Sequence, residues 1–478
     1  MRILSRLIIS LTAMMCAVTA AAQISTDEVN AAVSAAREAP RNQGLNLAAG
    51  NALKKAGRYR EAIPFYLKGN HTANLGLAEV YFNLYDYDRA QEYLDKYIAK
   101  RSKAEAAADN NYIPTGATEP MDWTDYLAGR ILLGRSMLDR VEKIKIIDSI
   151  NVPYNDFYRF IKLAGPVGSL QSGELIEKII KEQWLADNGI DLFSDAAYVS
   201  ESGDDIIWVG SDADGEKSVM FESVKLVDGN WDKPVKLFDY SSIFGENSGS
   251  WIDFPFLMSD GVTLYFAADG DSSLGGLDIF ISRRDEDGFL QPSNIGMPYN
   301  SPANDYLYAI DEVTGTGWWV TDRNGLTDSV TIYTFIPQDL RINYPVDTEG
   351  LVDFARVSSI KDTWEPDDDF SDIRNRIAAI GENKRNIGKD EFEFAMPGGK
   401  IYTSLDDFAR RQGREAMERY LDARKKYTDK RARLADLRQS YRDGDTAVSS
   451  EIKSLESQLE NDRRELRRLS NEVVKMEQ

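Results

Sequence analysis

Apolar positions between residues 251 and 289 fall into two short runs that are separated by turns. The runs Val262 to Ala267 and Leu277 to Ser282 are rich in aromatic and branched aliphatic residues. Turn-forming residues bound the two runs, namely Ser259-Asp260-Gly261, Gly275-Gly276 and Asp287-Gly288. Short apolar runs between such turns are typical of strands, so this stretch predicts an antiparallel β-meander.

Two further units repeat the arrangement on either side. The upstream unit contains Ile206 to Val209 and Val219 to Lys225, and the downstream unit contains Trp318 to Val320 and Thr331 to Thr334. A spacing of roughly 55 residues between units suits the blades of a β-propeller. We therefore predict a small propeller over 191–345 with at least three recognisable blades. The residues in equivalent positions of the three units are Trp208, Tyr265 and Trp319.

Three units are too few for a closed propeller, which has about four to eight blades. Either the flanking segments add strands or the array of sheets stays open. Segment 151–190 is predicted to be a transition that can supply one strand. Region 346–403 is predicted to be a helical insertion followed by a β-hairpin at Glu391 to Thr403, which would close the domain.

Residues 23–150 show helical periodicity before the blades begin. From Gln43 to Lys100, small residues alternate with aromatic ones in a pattern similar to tetratricopeptide helix pairs. The segment Trp123 to Lys145 can supply a further pair. The module is either a concave peptide-binding groove, with Tyr59 and Tyr81 as candidate binding residues, or a helical platform that docks on the blades.

Residues 404–478 show a seven-residue apolar period in two halves, which Asp443-Gly444-Asp445 separates. Asp462 is the only polar residue in the seam. The period predicts an antiparallel coiled-coil hairpin, or alternatively an extended helix that dimerises or binds a partner's helix. The residues that carry it are Tyr420, Tyr427, Leu434, Tyr441, Ile452, Leu459, Leu466 and Val473.

The first residues have the pattern of a secretory signal. Arg2 and Arg6 precede or flank an apolar run from Leu7 to Val18, and Ala20-Ala21-Ala22 offers a cleavage site, so we predict a signal peptide over 1–22. The only cysteine, Cys16, lies inside this run, which leaves the mature chain without thiol or disulfide chemistry. No other apolar run is long enough to predict a transmembrane helix.

The formal net charge of −21 argues against nucleic acid as a partner, because phosphate binding needs a basic surface. Only one histidine, His71, is present, and it lies among the helical repeats. The sequence contains no Walker loop and no dinucleotide fingerprint. These observations predict that the protein is not an enzyme. Paired carboxylates leave a glycan-binding or glycan-cleaving propeller as the alternative.

Two kinds of binding residue remain as candidates. Asp212 and Asp214, like Asp285 and Asp287, stand two apart on predicted turns, a spacing that suits calcium as well as ordinary hairpin turns. No other cofactor is expected. The adjacent residues Trp318 and Trp319 should face opposite sides of a strand, so one of them is expected to be exposed and to contact a ligand.

The blade motifs resemble TolB-type, WD-repeat-like propeller blades of bacterial envelope proteins. The motifs that carry the resemblance are Ser259-Asp260-Gly261, Leu264-Tyr265-Phe266-Ala267, Gly275-Gly276-Leu277-Asp278-Ile279-Phe280 and Asn300-Ser301-Pro302-Ala303-Asn304-Asp305-Tyr306. With the helical repeats, the chain is similar over roughly residues 43 to 345 to a Bacteroidota envelope family that couples tetratricopeptide repeats to such blades.

Some members of that family act in type IX secretion and carry a peptidoglycan-binding OmpA-like domain, for which this sequence shows no counterpart. The resemblance implies an exported scaffold, periplasmic or associated with the outer membrane, that binds other envelope proteins. A periplasmic partner of an outer-membrane transporter is a further possibility that the resemblance leaves open.

Overall fold

The computed structural model shows a mixed α+β protein in which helices come before and after three antiparallel sheets along the chain. The predicted signal peptide lies outside the described residues. No helix within them is long and apolar enough to cross a membrane. The described residues are 25–113, 120–180, 182–188, 190, 195–211, 218–226, 231–240, 244, 251–285, 288–325, 328–338, 340–380, 394–396, 400–402, 404–442 and 448–477.

Several N-terminal helices begin at residues whose side chains satisfy free backbone amides. Ser25 and Glu28 form a capping box at the first helix, and Asn42 and Asp86 cap two others. In chain order the helices are α1 Thr26–Glu38, α2 Gln43–Lys55, α3 Tyr59–Tyr66, α4 Ala73–Asn83, α5 Tyr87–Ile98, α6 Lys103–Asp109 and α7 Trp123–Leu138.

Glycines let these helices approach one another closely. The Tyr66 ring lies where a Cβ at Gly50 or Gly76 would be, at 2.7 and 2.5 Å, so α2 and α4 both pack against α3. In the same way, the ring of Tyr87 lies against Gly134 of α7. The predicted pairing of small residues with aromatic ones is therefore present as helix packing.

Each sheet is an antiparallel meander. Sheet 1 has the order β2-β3-β4-β5-β6, sheet 2 the order β10-β9-β8-β7, and sheet 3 the order β1-β13-β12-β11. The strands are β1 Lys145–Pro153, β2 Ser169–Ser172, β3 Ala196–Val199, β4 Asp205–Ser211, β5 Ser218–Val224, β6 Val235–Asp239, β7 Ile252–Leu257, β8 Thr263–Ala268, β9 Asp278–Arg283, β10 Ser293–Asn294, β11 Asp305–Asp311, β12 Thr316–Thr321 and β13 Ser329–Ile336. Short helices α8 Glu174–Ile179 and α9 Glu182–Asn188 lie between β2 and β3.

The outer strand of sheet 3 is β1, which precedes the strands of sheets 1 and 2 in the sequence. β1 pairs with β13 from Lys145 opposite Ile336 to Pro153 opposite Ser329. The predicted boundary at residue 150 therefore falls inside a strand, and β2 lies in the predicted transition segment. The short apolar run of β1 comes directly after a helical segment in the sequence. Hydrophobic periodicity alone does not distinguish such a run from a continuation of the helix.

The β-hairpin predicted to close the domain has a different place. β14 Phe394–Met396 and β15 Lys400–Tyr402 pair only with each other. Their side chains Phe394, Met396 and Tyr402 share a core with the C-terminal helices. The prediction of a closing role was wrong, because these apolar side chains are buried against helices and β1 already occupies the edge of sheet 3.

A strap of residues 351–379 covers the outer edge of β1. It contains α10 Leu351–Arg356 and α11 Ser371–Ala379. Thr363 Oγ1 accepts a hydrogen bond from the Ile146 amide at 3.1 Å, and Trp364 Nε1 donates one to the Ile146 carbonyl at 2.6 Å. Backbone groups on an edge strand otherwise invite pairing with another chain, so the strap protects this edge.

Aromatic side chains fill the space where the three sheets meet. Phe157, from the 3-10 helix Tyr154–Phe160, lies 5.5 Å from the ring of Phe254 on β7. Tyr306 on β11 lies 5.6 Å from Phe254 and 5.1 Å from Tyr154. We call Tyr154, Phe157, Phe254 and Tyr306 the central cluster.

The C-terminal residues form the predicted antiparallel helical hairpin, with α12 Arg411–Arg442 and α13 Ser449–Glu477. Arg419 pairs with Glu472 and Lys430 with Asp462, so the second helix runs back along the first. Asp462 interrupts the apolar seam because it is the partner of Lys430. Together with β14 and β15, we call this hairpin the C-terminal arm.

Two glycines of α7 provide a matched test of helix packing. We expect Gly134→Ala to lower the free energy of unfolding by at least about 1 kcal/mol, because its Cβ would lie 2.4 Å from the buried Tyr87 ring. Gly129 has no atom within 4 Å of its Cβ position, so Gly129→Ala should stabilise by about 0.5–1 kcal/mol. Urea denaturation measures both, and equal effects of the two substitutions would contradict this packing.

Candidate functional site

The predicted contact residues Trp318 and Trp319 are both buried, with 3% and 0% of their surface exposed. Trp319 stacks on Tyr333 at 4.5 Å, and Tyr299 meets its ring edge-on at 5.4 Å. The two residues do alternate along β12, but every residue of this strand is buried. The expectation that one indole is exposed was wrong because β12 is covered on both sides.

Tyr59 and Tyr81 belong to the packing of the helices. Tyr81 is buried and stacks on Tyr93 with ring centroids 5.5 Å apart. Tyr59 is half-buried, and its pKa is raised first by burial and then by the negative charge of Asp322, which follows β12. Tyr59 packs against the apolar core that the helices share with Leu274 and Met297.

Loops of sheets 2 and 3 lie against the helices. Leu274 and Met297 are fully buried in the same apolar core as α3, α4 and α7. From α7, the guanidinium of Arg130 donates to the carbonyls of Ser273, at 2.7 Å, and Gly275. Of the two readings of the helical module, this arrangement is that of a platform docked on the sheets.

The loops are held to each other by close backbone contact. A Cβ at Gly275 would lie 1.8 Å from the carbonyl oxygen of Ala303, and one at Gly276 would lie 2.2 Å from Asn304 Oδ1. Only glycine fits at position 275, where the obstacle is backbone, whereas a Cβ at position 276 would displace the Asn304 side chain. The Gly275-Gly276 pair therefore serves the docking of one sheet on the next as well as the turn before β9.

A buried ion pair joins the start of β11 to the residues that follow β12, at one end of sheet 3. Arg323 Nη2 donates to Asp305 Oδ1 at 2.8 Å, and their side chains are 5% and 0% exposed. Arg323 also donates to the carbonyls of Pro298 and Tyr299. Burial raises the pKa of Asp305, and the guanidinium opposes this shift. Both charges are satisfied, as a buried pair requires.

Asp278 is a second buried carboxylate in this junction. It accepts hydrogen bonds from the amides of Leu274 and Gly275 at 2.8 and 3.1 Å, and from Asn294 Nδ2 at 2.7 Å. Burial, together with the charge of Asp305, raises the pKa of Asp278 to about 7. We call Arg130, Asp278, Asp305 and Arg323 the junction network. Its carboxylates are fully buried and bonded within the protein, so the network holds loops and offers no access to a substrate.

Carboxylates also border the central cluster. The Tyr154 hydroxyl donates to Asp195 Oδ2 at 2.6 Å, and Asp253 Oδ2 accepts from the Asp195 amide at 2.9 Å. Desolvation raises the pKa of Asp195. Glycoside hydrolysis needs two carboxylates on either side of a sugar. Here Asp253 is fully buried and the aromatic rings occupy the space that a sugar would need.

Most of the predicted calcium ligands lie outside the described residues, namely Asp212, Asp214 and Asp287. Asp285 is exposed, and its amide donates to the Gly288 carbonyl at 2.8 Å across the turn. Within the part of the chain that the structure describes, no group of three or more acidic, histidine or cysteine side chains could hold a metal ion.

Comparison of the chain with protein-family models, with curated proteins and with solved structures finds no match. The site must therefore be argued from the geometry alone. Sequence reasoning missed Arg130 and Arg323, because a single arginine on a helix or after a strand carries no signal of burial. Asp305 lies in the segment Asn300 to Tyr306, whose sequence shows a resemblance to blade motifs but no signal of a buried ion pair.

The ion pair in the junction network should be costly to break. We expect Arg323→Met to lower the free energy of unfolding by about 3–5 kcal/mol, because it leaves Asp305 charged, buried and unpaired. The matched control is Arg89→Met, which removes an exposed pair with Asp86 and should change stability by less than about 1 kcal/mol. Urea denaturation of both variants checks this, and a loss below about 1 kcal/mol for Arg323→Met would refute the role of the pair.

Proposed function

We propose that the protein is a non-enzymatic scaffold of the bacterial cell envelope that binds other envelope proteins through preformed surfaces. The observation that carries this proposal is the C-terminal arm, which has a hydrophobic core of its own. That core contains Phe394, Met396, Tyr402, Met417 and Val473, and among the described residues it includes none from the helices or sheets that precede the arm.

The shape of the arm suits protein binding better than catalysis. At about 1.5 Å per residue, the 32 residues of α12 extend over about 48 Å. Its apolar seam is buried within the hairpin, as at Leu434, Leu437 and Leu459. A long, self-contained hairpin needs no partner to fold, and it offers its outer faces as a rigid docking element.

The rest of the chain supplies a rigid base in this proposal. We interpret the three sheets as TolB-like blades in a small propeller-like array, in which β1 completes the third blade. The helix pairs α2–α3 and α4–α5 are interpreted as tetratricopeptide-like repeats, and the junction network fixes the neighbouring helix α7 to the blades. The filled centre is the reason that we prefer a scaffold to a glycan-binding or glycan-cleaving propeller.

In this proposal, the predicted signal peptide determines the cellular compartment of the protein. Residues 1–22 direct export, and the mature protein acts in the periplasm or at the outer membrane, where its partners are envelope proteins. The acidic composition supports this choice of partner, since the net charge of −21 disfavours nucleic acid.

Crosslinking in intact cells of the native host tests the scaffold. We compare the full chain with a chain that ends at Ile380, since β14 and β15 belong to the core of the arm. Defined envelope proteins should co-purify with the full chain and be lost from the shortened one. Recovery of the protein alone, or of the same partners from both chains, would refute a scaffold that acts through its arm.

A pair of point variants tests whether crosslinking requires the arm to be folded, since both variants keep the whole arm in the chain. Leu459 is buried in the seam and Gln458 beside it is exposed. Leu459→Asp places an unpaired charge in the seam, so it should unfold the hairpin and abolish the crosslinks. Gln458→Asp should preserve both. Circular dichroism of the purified variants reports the loss of helix.

A further inference from the structure

A cleft of about 430 Å³ opens between β2 and the segment that precedes it. Tyr158, Arg159 and residues 161–163 line one side, and residues 168–172, which include β2, line the other. No residue of β3 contributes to the lining, although β3 is the strand that pairs with β2. The cleft therefore lies along the side of β2 that faces away from β3.

β2 is an edge strand, and its register shows which backbone groups face the cleft. Leu170 stands opposite Tyr198, and the Gly173 amide donates to the Asp195 carbonyl three positions further along. In an antiparallel ladder, hydrogen-bonded and non-hydrogen-bonded pairs alternate, so Leu170 and Tyr198 form a non-hydrogen-bonded pair. The N–H and C=O of Leu170 point away from β3, and no backbone hydrogen bond of the described residues uses them there.

The charge of the cleft is opposite to that of the protein as a whole. Arg159 and Lys162 line it and are exposed, and none of its lining residues is acidic. The chain as a whole has a net charge of −21. A local cationic site attracts an anionic partner, and the rest of the acidic surface repels that partner, so binding is favoured at the cleft.

Apolar side chains also line the cleft, beside the edge of β2 and the cations. Ile161 and Leu170 contribute to the lining and are largely buried, so they provide an apolar floor. An extended peptide would supply the hydrogen-bond partners and the side chains that match these three features of the cleft. Its backbone can bond the edge of β2, and alternate side chains can reach the floor and the cations.

We propose that this cleft binds an extended peptide segment with acidic side chains, which adds to the edge of β2 as a further strand. The peptide backbone pairs with the N–H and C=O of Leu170. Its carboxylates pair with Arg159 and Lys162. This site is separate from the C-terminal arm, so it gives the scaffold a second and independent means of attachment.

A peptide array tests the proposal directly. Immobilised ten-residue peptides with random arrangements of Asp, Glu, Lys, Val, Ser and Tyr are probed with the purified mature chain. We expect the bound peptides to be enriched in Asp or Glu at alternating positions with apolar residues between them. An array without bound peptides, or a bound set without acidic enrichment, would overturn the proposal.

Charge reversal locates the binding. The double variant Arg159→Glu with Lys162→Glu should weaken binding of the strongest array peptide at least tenfold in a fluorescence anisotropy titration. The matched control is Lys100→Glu with Lys103→Glu, which makes the same change of charge at two exposed residues far from the cleft in the sequence. Equal losses in both variants would show that only the overall charge matters, and the melting temperature of each confirms its fold.

Backbone methylation distinguishes strand addition from attraction to any polyanion. The same peptide is made with N-methyl groups on its odd residues or on its even residues. Strand addition uses one edge of the peptide, so one of the two sets should abolish binding while the other preserves it. Binding that tolerates both sets, or competition by inorganic polyphosphate without any dependence on the peptide backbone, would overturn strand addition. Because the chain ending at Ile380 retains the cleft, it should still bind the peptide even if the arm has no partners.

Discussion

The pairing of β1 with β13 is the constraint on which the rest of the sheet region depends. It joins residues 145–153 to residues 329–336, so both ends of the sheet region are held in one ladder. The 3-10 helix that follows β1 is thereby placed at the centre, where the Tyr154 amide donates to the Asp328 carbonyl. The strap in turn bonds to the outer edge of β1. Without this ladder, sheet 3 would have no outer strand and the central cluster would lose Tyr154 and Phe157.

The junction network shows how polar groups set the orientation of the helices on the sheets. A buried ion pair such as Arg323 with Asp305 contributes little net stability compared with apolar side chains of similar volume. It does, however, make misplaced loops costly, because any shift leaves charges unpaired. Arg130 acts in the same way, since its guanidinium bonds to carbonyls of one particular loop. The helices are therefore held in one position relative to the sheets, which the proposed role as a rigid base requires.

Local periodicity predicted the elements well and their long-range partners poorly. Trp208, Tyr265 and Trp319 do lie on corresponding strands, β4, β8 and β12, because each is set by turns close to it in sequence. The role of β1 depends on a partner about 180 residues away, which no local pattern encodes. Alternation along β12 placed the two tryptophans on opposite faces, but it did not reveal that both faces are covered. The same limit applies to the cleft beside β2, whose cations lie in a segment without a clear period.

The direction of β1 and β13 also determines how the protein would respond to a pulling force. The helices lead into β1 at Lys145, and the strap and the arm lead out of β13 at Ile336, which is the opposite residue. Tension between a partner on the helices and one on the arm would therefore peel the ladder from this end, one pair of bonds at a time. The bridge between Glu142 and Asn343 and the bonds from Trp364 and Arg374 to β1 lie at the end where peeling would start. In the proposed scaffold, these few bonds would act as a mechanical clamp, because they would have to break before the ladder between β1 and β13 opens.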